Sequence, residues 1–149
     1  MVKISFVCPV YNKEKYLNEV LKSINNQKGE FEKEFLFIND GSSDNSLQLL
    51  KQKTKTWKNT RIFNQDNLGP SIATQKGISS SKGDYVKLVG GDDVLHPNCT
   101  NLLLNTIKKN NSVAVFSRYK LTKNLKNINL KIKRKPLNLK IIKEPTYQT

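Results

Sequence analysis

The sequence predicts an α/β fold, a mostly parallel β-sheet with helices on both faces. Three observations carry that expectation. Short β-rich runs alternate four times with stretches whose apolar residues recur at helical spacing. The first run is almost continuously apolar, as a strand buried on both faces of a parallel sheet must be. The runs end in polar loops marked by glycine or proline, which suits crossover connections.

The first strand spans Val2 to Val10, with Pro9 expected to end its ladder and Tyr11-Asn12 opening a loop. Lys13 to Gln27 reads as a helix through Tyr16, Leu17, Val20, Leu21 and Ile24, stopped by Gly29. Glu34 to Ile38 is the second strand. It runs into Asn39-Asp-Gly-Ser-Ser-Asp44, where Gly41 allows a tight turn and Ser43 or Asp44 caps a helix from about Asn45 to Lys55. Leu47 and Leu50 face inward on that helix. Arg61 to Asn64 is a third strand, and after Asn67-Leu-Gly-Pro-Ser71 a helix covers Ser71 to Ser81, with Pro70 suited to the first helical position. Tyr85 to Val89 is the fourth strand, leading into Gly90-Gly-Asp-Asp-Val-Leu-His-Pro97. A helix over Asn98 to Asn110 places Leu102, Leu103 and Ile107 on its apolar side, and Ser112 to Tyr119 is expected to close the sheet as a fifth strand.

A chain of 149 residues is one domain's worth. Its formal charge of +14 is unevenly placed: residues 120–149 carry nine basic side chains and one acid. We therefore divide the chain into a globular unit, 1–119, and a basic C-terminal segment, 120–149. That segment fits either an amphipathic helix through Leu121, Leu125, Ile128 and Ile132 or a hairpin bent near Pro136. The helical form suits peripheral association with anionic lipid. The abundance of Lys and Asn also follows from genome composition, so the charge does not single out nucleic acid as a partner. Two cysteines, Cys8 and Cys99, occur without a CxxC or Cys/His cluster, which excludes a zinc framework and suits a reducing compartment. With no run of 18 apolar residues and no signal-peptide core, the expected location is cytoplasmic, including the inner face of the membrane.

Three strand ends carry the distinctive residues: Pro9-Val-Tyr-Asn12, Asn39-Asp-Gly-Ser-Ser-Asp44 and Gly90-Gly-Asp-Asp93. In a parallel sheet these ends share one edge, so Tyr11, Asp40, Asp92 and Asp93 converge from distant parts of the chain. Adjacent aspartates repel, and a loop holding both needs a compensating cation or hydrogen-bond donors. Mg²⁺ or Mn²⁺ suits such oxygens, although Gly-Asp-Asp is also ordinary turn chemistry. A GxGxxG fingerprint, a GxxxxGK[ST] loop and a GxSxG elbow are all missing, which sets aside dinucleotide-binding, P-loop and nucleophilic-hydrolase readings.

Taken together, Phe6-Val-Cys-Pro-Val-Tyr-Asn12, Phe37-Ile-Asn-Asp-Gly-Ser-Ser-Asp-Asn-Ser46, Asn67-Leu-Gly-Pro-Ser71 and Gly83 to Pro97 resemble the nucleotide-binding part of family 2 glycosyltransferases with the GT-A fold, over about residues 3–118. The resemblance implies a nucleotide-diphospho-sugar donor, most often a UDP-sugar, bound with a divalent metal (Mn²⁺ or Mg²⁺). It implies a glycan, lipid-linked or protein acceptor, as in polysaccharide biosynthesis. On the donor side it points to Pro9, Tyr11, Asn12, Asp40, Asn67, Lys76 and Asp92, with Tyr11 covering the base and Asp40 hydrogen-bonding it. Asp92 and Asp93 are the implied metal ligands.

Two positions depart from the family pattern. Gly90 stands where the first aspartate of the Asp-x-Asp signature is usual, and Thr74 stands where an arginine is usual, leaving Lys76 as the nearest cation for a diphosphate. Downstream of Asp93 the sequence has one carboxylate, Glu144, as a candidate catalytic base, and His96 reads as a loop or donor-side residue. The alternatives to a transferase are a donor-binding unit without turnover of its own and a basic protein binding nucleic acid or membrane surface.

Overall fold

The computed structural model describes residues 1–117 and Leu121. Four strands form: β1 (Lys3–Val10), β2 (Glu32–Asp40), β3 (Thr60–Gln65) and β4 (Tyr85–Leu88). Four helices alternate with them: α1 (Glu14–Asn25), α2 (Ser46–Lys53), α3 (Pro70–Ser80) and α4 (Cys99–Asn110). The sheet order is β3-β2-β1-β4 and every pairing is parallel. The predicted architecture is thus the observed one.

Successive strand residues point to opposite faces, so each central strand feeds two cores. Phe6, Cys8, Val10, Phe35 and Phe37 pack with Leu17, Val20, Leu21 and Ile24 of α1, Leu50 of α2 and Leu104 of α4. Val7, Leu36 and Ile38 pack on the other face with Ala73 of α3. Burying each large apolar side chain is worth about 1.5–3 kcal/mol, so β1 and β2 anchor the molecule and leave their loops free to hold polar groups. Gly77 lets α3 lie close, because a Cβ there would stand 2.3 Å from Val7 and 2.7 Å from Ile38.

Several expectations are corrected. Pro9 does not end β1; it pairs with Ile38 inside the strand. Val7 accepts a hydrogen bond from Val89, so the residue two along faces the same neighbour, and β4 has already ended there. The missing N–H at Pro9 therefore costs no ladder bond. On α4 the buried residues are Thr100 and Leu104, while Leu102 is 49% exposed. On α2, Leu49 packs on the core with Leu50, and Leu47 is half-buried.

The expected fifth strand does not form over residues 112–117. Val113 and Phe116 are 95% and 83% exposed. An apolar run becomes a strand only by pairing with a neighbouring edge, and among the described residues 112–117 pair with none, β4 being joined to β1 alone. Arg118 and Tyr119, the helix-or-hairpin reading of the basic segment beyond Leu121, and Glu144 lie outside the described residues.

Candidate functional site

All four strands end on one rim, and the loops leaving them are tied together. Asn12 adopts a left-handed backbone, φ 50°, which Asn tolerates better than most residues. Its side-chain oxygen accepts hydrogen bonds from the Ser43 amide at 2.8 Å and the Asp44 amide at 3.3 Å, and its own N–H donates to Ser42 Oγ at 3.0 Å. The expected donor-side residue Asn12 is therefore committed to joining the loops after β1 and β2.

Asp44 serves two helices at once. Its carboxylate accepts from the Glu14 amide at the start of α1 and from the Ser46 amide at the start of α2, at 3.0 and 2.9 Å. Glu14 reciprocates, accepting from the Asn45 amide at 2.7 Å. Burial alone would push the Asp44 carboxyl up; hydrogen bonds from Ser46 and Glu14 outweigh it and hold the group below the usual carboxylate range. Both helices begin at the rim, so their amide-rich, partly positive ends face it.

Asp40 ends β2 and is only 2% exposed. Its Oδ1 accepts from Gln65 Nε2 at 2.8 Å and the Leu68 amide at 3.0 Å, and Oδ2 from the Gly69 amide at 3.0 Å. Gly41 follows with φ 71°, and a Cβ there would stand 2.6 Å from the Asn67 backbone nitrogen. That close approach brings the Asn67 loop onto the end of β2. A carboxylate has about four acceptor sites, and three of those on Asp40 are used by these bonds. Asn67 itself is exposed, its side-chain oxygen accepting from the Gly69 amide at 3.2 Å. Nearby Asn39 is buried with Oδ1 unpartnered among the described residues.

Tyr11 stands at the head of the first loop, 45% exposed, after Pro9 at the end of β1. On the β4 side, Asp93 Oδ2 accepts from the Gly90 amide at 3.0 Å, folding the loop on itself. Asp92 is exposed and pairs with Lys13, the residue that opens α1, at 2.5 Å. The compensating cation that adjacent aspartates require is therefore Lys13, a residue that sequence reasoning missed. The demand for a cation was legible, but its source lies 79 positions away.

Lys76 does not play that part. Its ammonium lies 5.7 Å from the centre of the Phe63 ring on β3, at the opposite edge of the sheet from β4. Three strand spacings put those edges about 14 Å apart. His96 is also carried away, since its carbonyl accepts from Gln27 beyond the far end of α1. The free thiol of Cys8 is fully buried and pushed up to about 12, first by burial and then by the charges of Asp93 and Asp92. It is chemically inert at neutral pH.

A divalent ion is tested by the donor set. Among the described residues no three His, Cys, Asp or Glu side chains gather into a cage. One or two carboxylates with diphosphate and water are nonetheless how Mg²⁺ is commonly held. Asp92 fits that mode: it is exposed on the rim and already draws a cation, the Lys13 ammonium. Two shallow depressions, of about 440 and 480 Å³, lie on α3 around Thr74 and at the other end of the sheet around Trp57.

Residues 5–148 match the Glycosyl transferase family 2. The chain belongs to that family. The family 2 match runs past residue 119 and takes in 120–148 of the basic segment. Among curated relatives, the cholesterol galactosyltransferase of Borreliella burgdorferi is 32% identical over 117 residues, covering 78% of this chain and 32% of its own. The poly(ribitol-phosphate) beta-glucosyltransferase of Bacillus spizizenii is 32% identical over 80% of this chain and 19% of its own. S. aureus TarS 1-349 in complex with UDP superposes with a TM-score of 0.64 at 27% identity, over 72% of this chain and 32% of that one. The mannosyltransferase PcManGT from Pyrobaculum calidifontis, in complex with GDP-Man and Mn²⁺, shares the fold at TM-score 0.58 and 17% identity. The fold is GT-A, and this family 2 chain spans about a third of the length of the first of these relatives.

Proposed function

We propose that the chain carries the donor site of a glycosyltransferase that takes a sugar from a nucleotide diphosphate, with UDP as the nucleotide and a glycan or lipid-linked molecule as acceptor. The observation that carries this reading is the convergence of Tyr11, Asp40 and Asp92 on one rim of a family 2 domain. β2, which ends in Asp40, and β4, which leads to Asp92, lie two strand spacings apart, about 10 Å, which suits a nucleoside at one end and its diphosphate at the other. Tyr11 lies between them, where its ring covers the face of the base. Asp40 accepts from the base edge with its remaining lone pair, Asn67 borders that end, and Pro9 fixes the backbone that presents Tyr11. UDP is preferred because the neighbour at 27% identity was solved with UDP and with UDP-GlcNAc.

Asp92, with Asp93 beside it, would hold a divalent ion, which when bound supplies positive charge to the leaving diphosphate. We assign the donor unit to residues 1–119 and infer from charge alone that the basic segment, 120–149, with nine basic side chains and one acid, attracts an acidic acceptor or anionic lipid. Among the described residues no helix is long and apolar enough to cross a membrane. Calorimetric titration of the chain with UDP, GDP and ADP, with and without Mn²⁺, tests the reading. UDP should bind best, with Mn²⁺, and an Asp92→Asn variant should lose at least about ten-fold in affinity, since charge-assisted contacts weigh about 1.5–3 kcal/mol. Equal, metal-indifferent binding of all three would overturn it.

A second reading is favoured by one observation. No carboxylate follows Asp93 among the described residues, and the His96 backbone is held by Gln27 beyond the far end of α1, so those residues supply no downstream carboxylate base. On that reading the chain binds donor and leaves transfer to a partner. Mn²⁺-dependent release of UDP from UDP-sugar by the isolated chain separates the two: turnover supports the enzyme, and binding alone supports the donor-binding unit.

A further inference from the structure

Lys13 holds Asp92 by design of the fold rather than by chance surface contact. Its amide donates to the fully buried Ser46 Oγ at 2.8 Å, and its carbonyl accepts from Tyr16 and Leu17 to open α1, so its backbone is fixed from two sides. Its aliphatic stem crosses Gly91, where a Cβ would lie 2.9 Å from Lys13 Cγ and 3.2 Å from the Pro9 carbonyl. A side chain at position 91 would press on the stem that carries the ammonium to the loop. Asp93 is turned back onto the Gly90 amide and Gly90 has no carboxylate, so Asp92 is the acid this loop presents. Both partners are partly open to solvent, with side chains 31% and 48% exposed. Such a pair is weakly held, by up to about five-fold in equilibrium, and can be exchanged.

From this we infer that Lys13 is an internal cation that holds Asp92 and passes to the diphosphate when a divalent ion takes the carboxylate, so that the two ligands bind cooperatively. The inference rests on the donor-site reading above. Charge dictates the exchange. The Asp92–Lys13 pair is neutral, and a divalent ion arriving alone must evict the ammonium and strand its charge. Arriving with a diphosphate, the ion leaves the ammonium an anion to meet, within reach of a flexible four-carbon stem. Lys76, at the far edge of the sheet, cannot substitute, and Thr74 carries no charge.

The test is calorimetry on the full chain with MnCl₂ alone, UDP alone, UDP in saturating Mn²⁺, and uridine. It compares wild type, Lys13→Met, and Gly91→Ala, which displaces the same stem without removing the charge; circular dichroism checks the fold of each. Lys13→Met should bind Mn²⁺ alone about three- to five-fold more tightly, bind UDP with Mn²⁺ about ten-fold more weakly, and lose most of the coupling between them. Uridine, lacking phosphate, should bind wild type and variant alike. Mn²⁺ affinity that is unchanged or weaker in both variants overturns the inference. If wild type takes no UDP under any condition, the donor-site reading fails instead, and the Mn²⁺-alone comparison still decides what Lys13 does.

Discussion

Asp40 and Asn12 stand at the end of β2 and just after β1, on the rim proposed to take the nucleotide, yet most of their hydrogen-bonding capacity is spent on the protein. Asp40 takes donors from Gln65, Leu68 and Gly69, so Asp40→Asn would set an amide N–H₂ against a backbone N–H. Losing a buried acceptor costs about 1–3 kcal/mol. We expect that loss in urea denaturation, together with faster amide exchange at Leu68 and Gly69; protection equal to wild type would show that the carboxylate does not hold the loop. Asn12→Gly keeps the left-handed backbone and removes the oxygen that receives Ser43 and Asp44. About 1–2 kcal/mol should go in the same measurement, with the loops after β1 and β2 exchanging faster together. A variant in which only one loop loosens would contradict the link.

At the level of elements, the rim opposite the site is clamped by a buried acid. Glu34 on β2 is 4% exposed. It accepts from Ser5 Oγ on β1 at 2.5 Å, from the Lys82 amide before β4 at 2.8 Å and from Arg61 on β3 at 2.8 Å. Burial alone would push its carboxyl up; the bonds from Ser5, Lys82 and Arg61 outweigh it and leave the group below its ordinary 4.5. A carboxyl depressed on folding stabilises the protein above its unfolded value, and that contribution disappears as pH falls through the folded one. Wild type should therefore exceed Glu34→Gln in thermal stability at pH 7, with the gap closing below about pH 4. A gap that stays constant from pH 7 to pH 3 would mean that Glu34 contributes nothing through its charge.

For the molecule as a whole, α3 contacts β1 and β2, while Val86 and Leu88 on β4 remain 39% and 50% exposed. β1 and β2 are buried on both faces and carry the core, and the β4 end, where Asp92 sits, is the less covered side of the sheet. Ligand binding should accordingly be visible as global stabilisation, because a nucleotide bridging the ends of β2 and β4 links the firm part to the open one. UDP with Mn²⁺ at about 100 times its dissociation constant should add about 2.7 kcal/mol and raise Tm by several degrees. Absence of any shift at saturating UDP and Mn²⁺ would count against a donor site on this rim.

Periodicity and punctuation alone placed the eight elements and the parallel character of the sheet, since a strand buried on two faces has few other ways to satisfy both its backbone and its side chains; the strand order came from the structure. Tyr11, Asp40 and Asp92 could be chosen the same way, because strand ends in such a sheet must share an edge. The fifth strand fails over the described residues 112–117 because Val113 to Phe116 show apolarity, whereas a strand is made by a partner edge that no local pattern reveals. Lys13 and Lys76 were indistinguishable as surface lysines in the sequence. Tertiary structure decided between them, by laying one across Gly91 onto Asp92 and the other over Phe63 at the far side of the sheet, for a side chain's charge acts only where the fold delivers it.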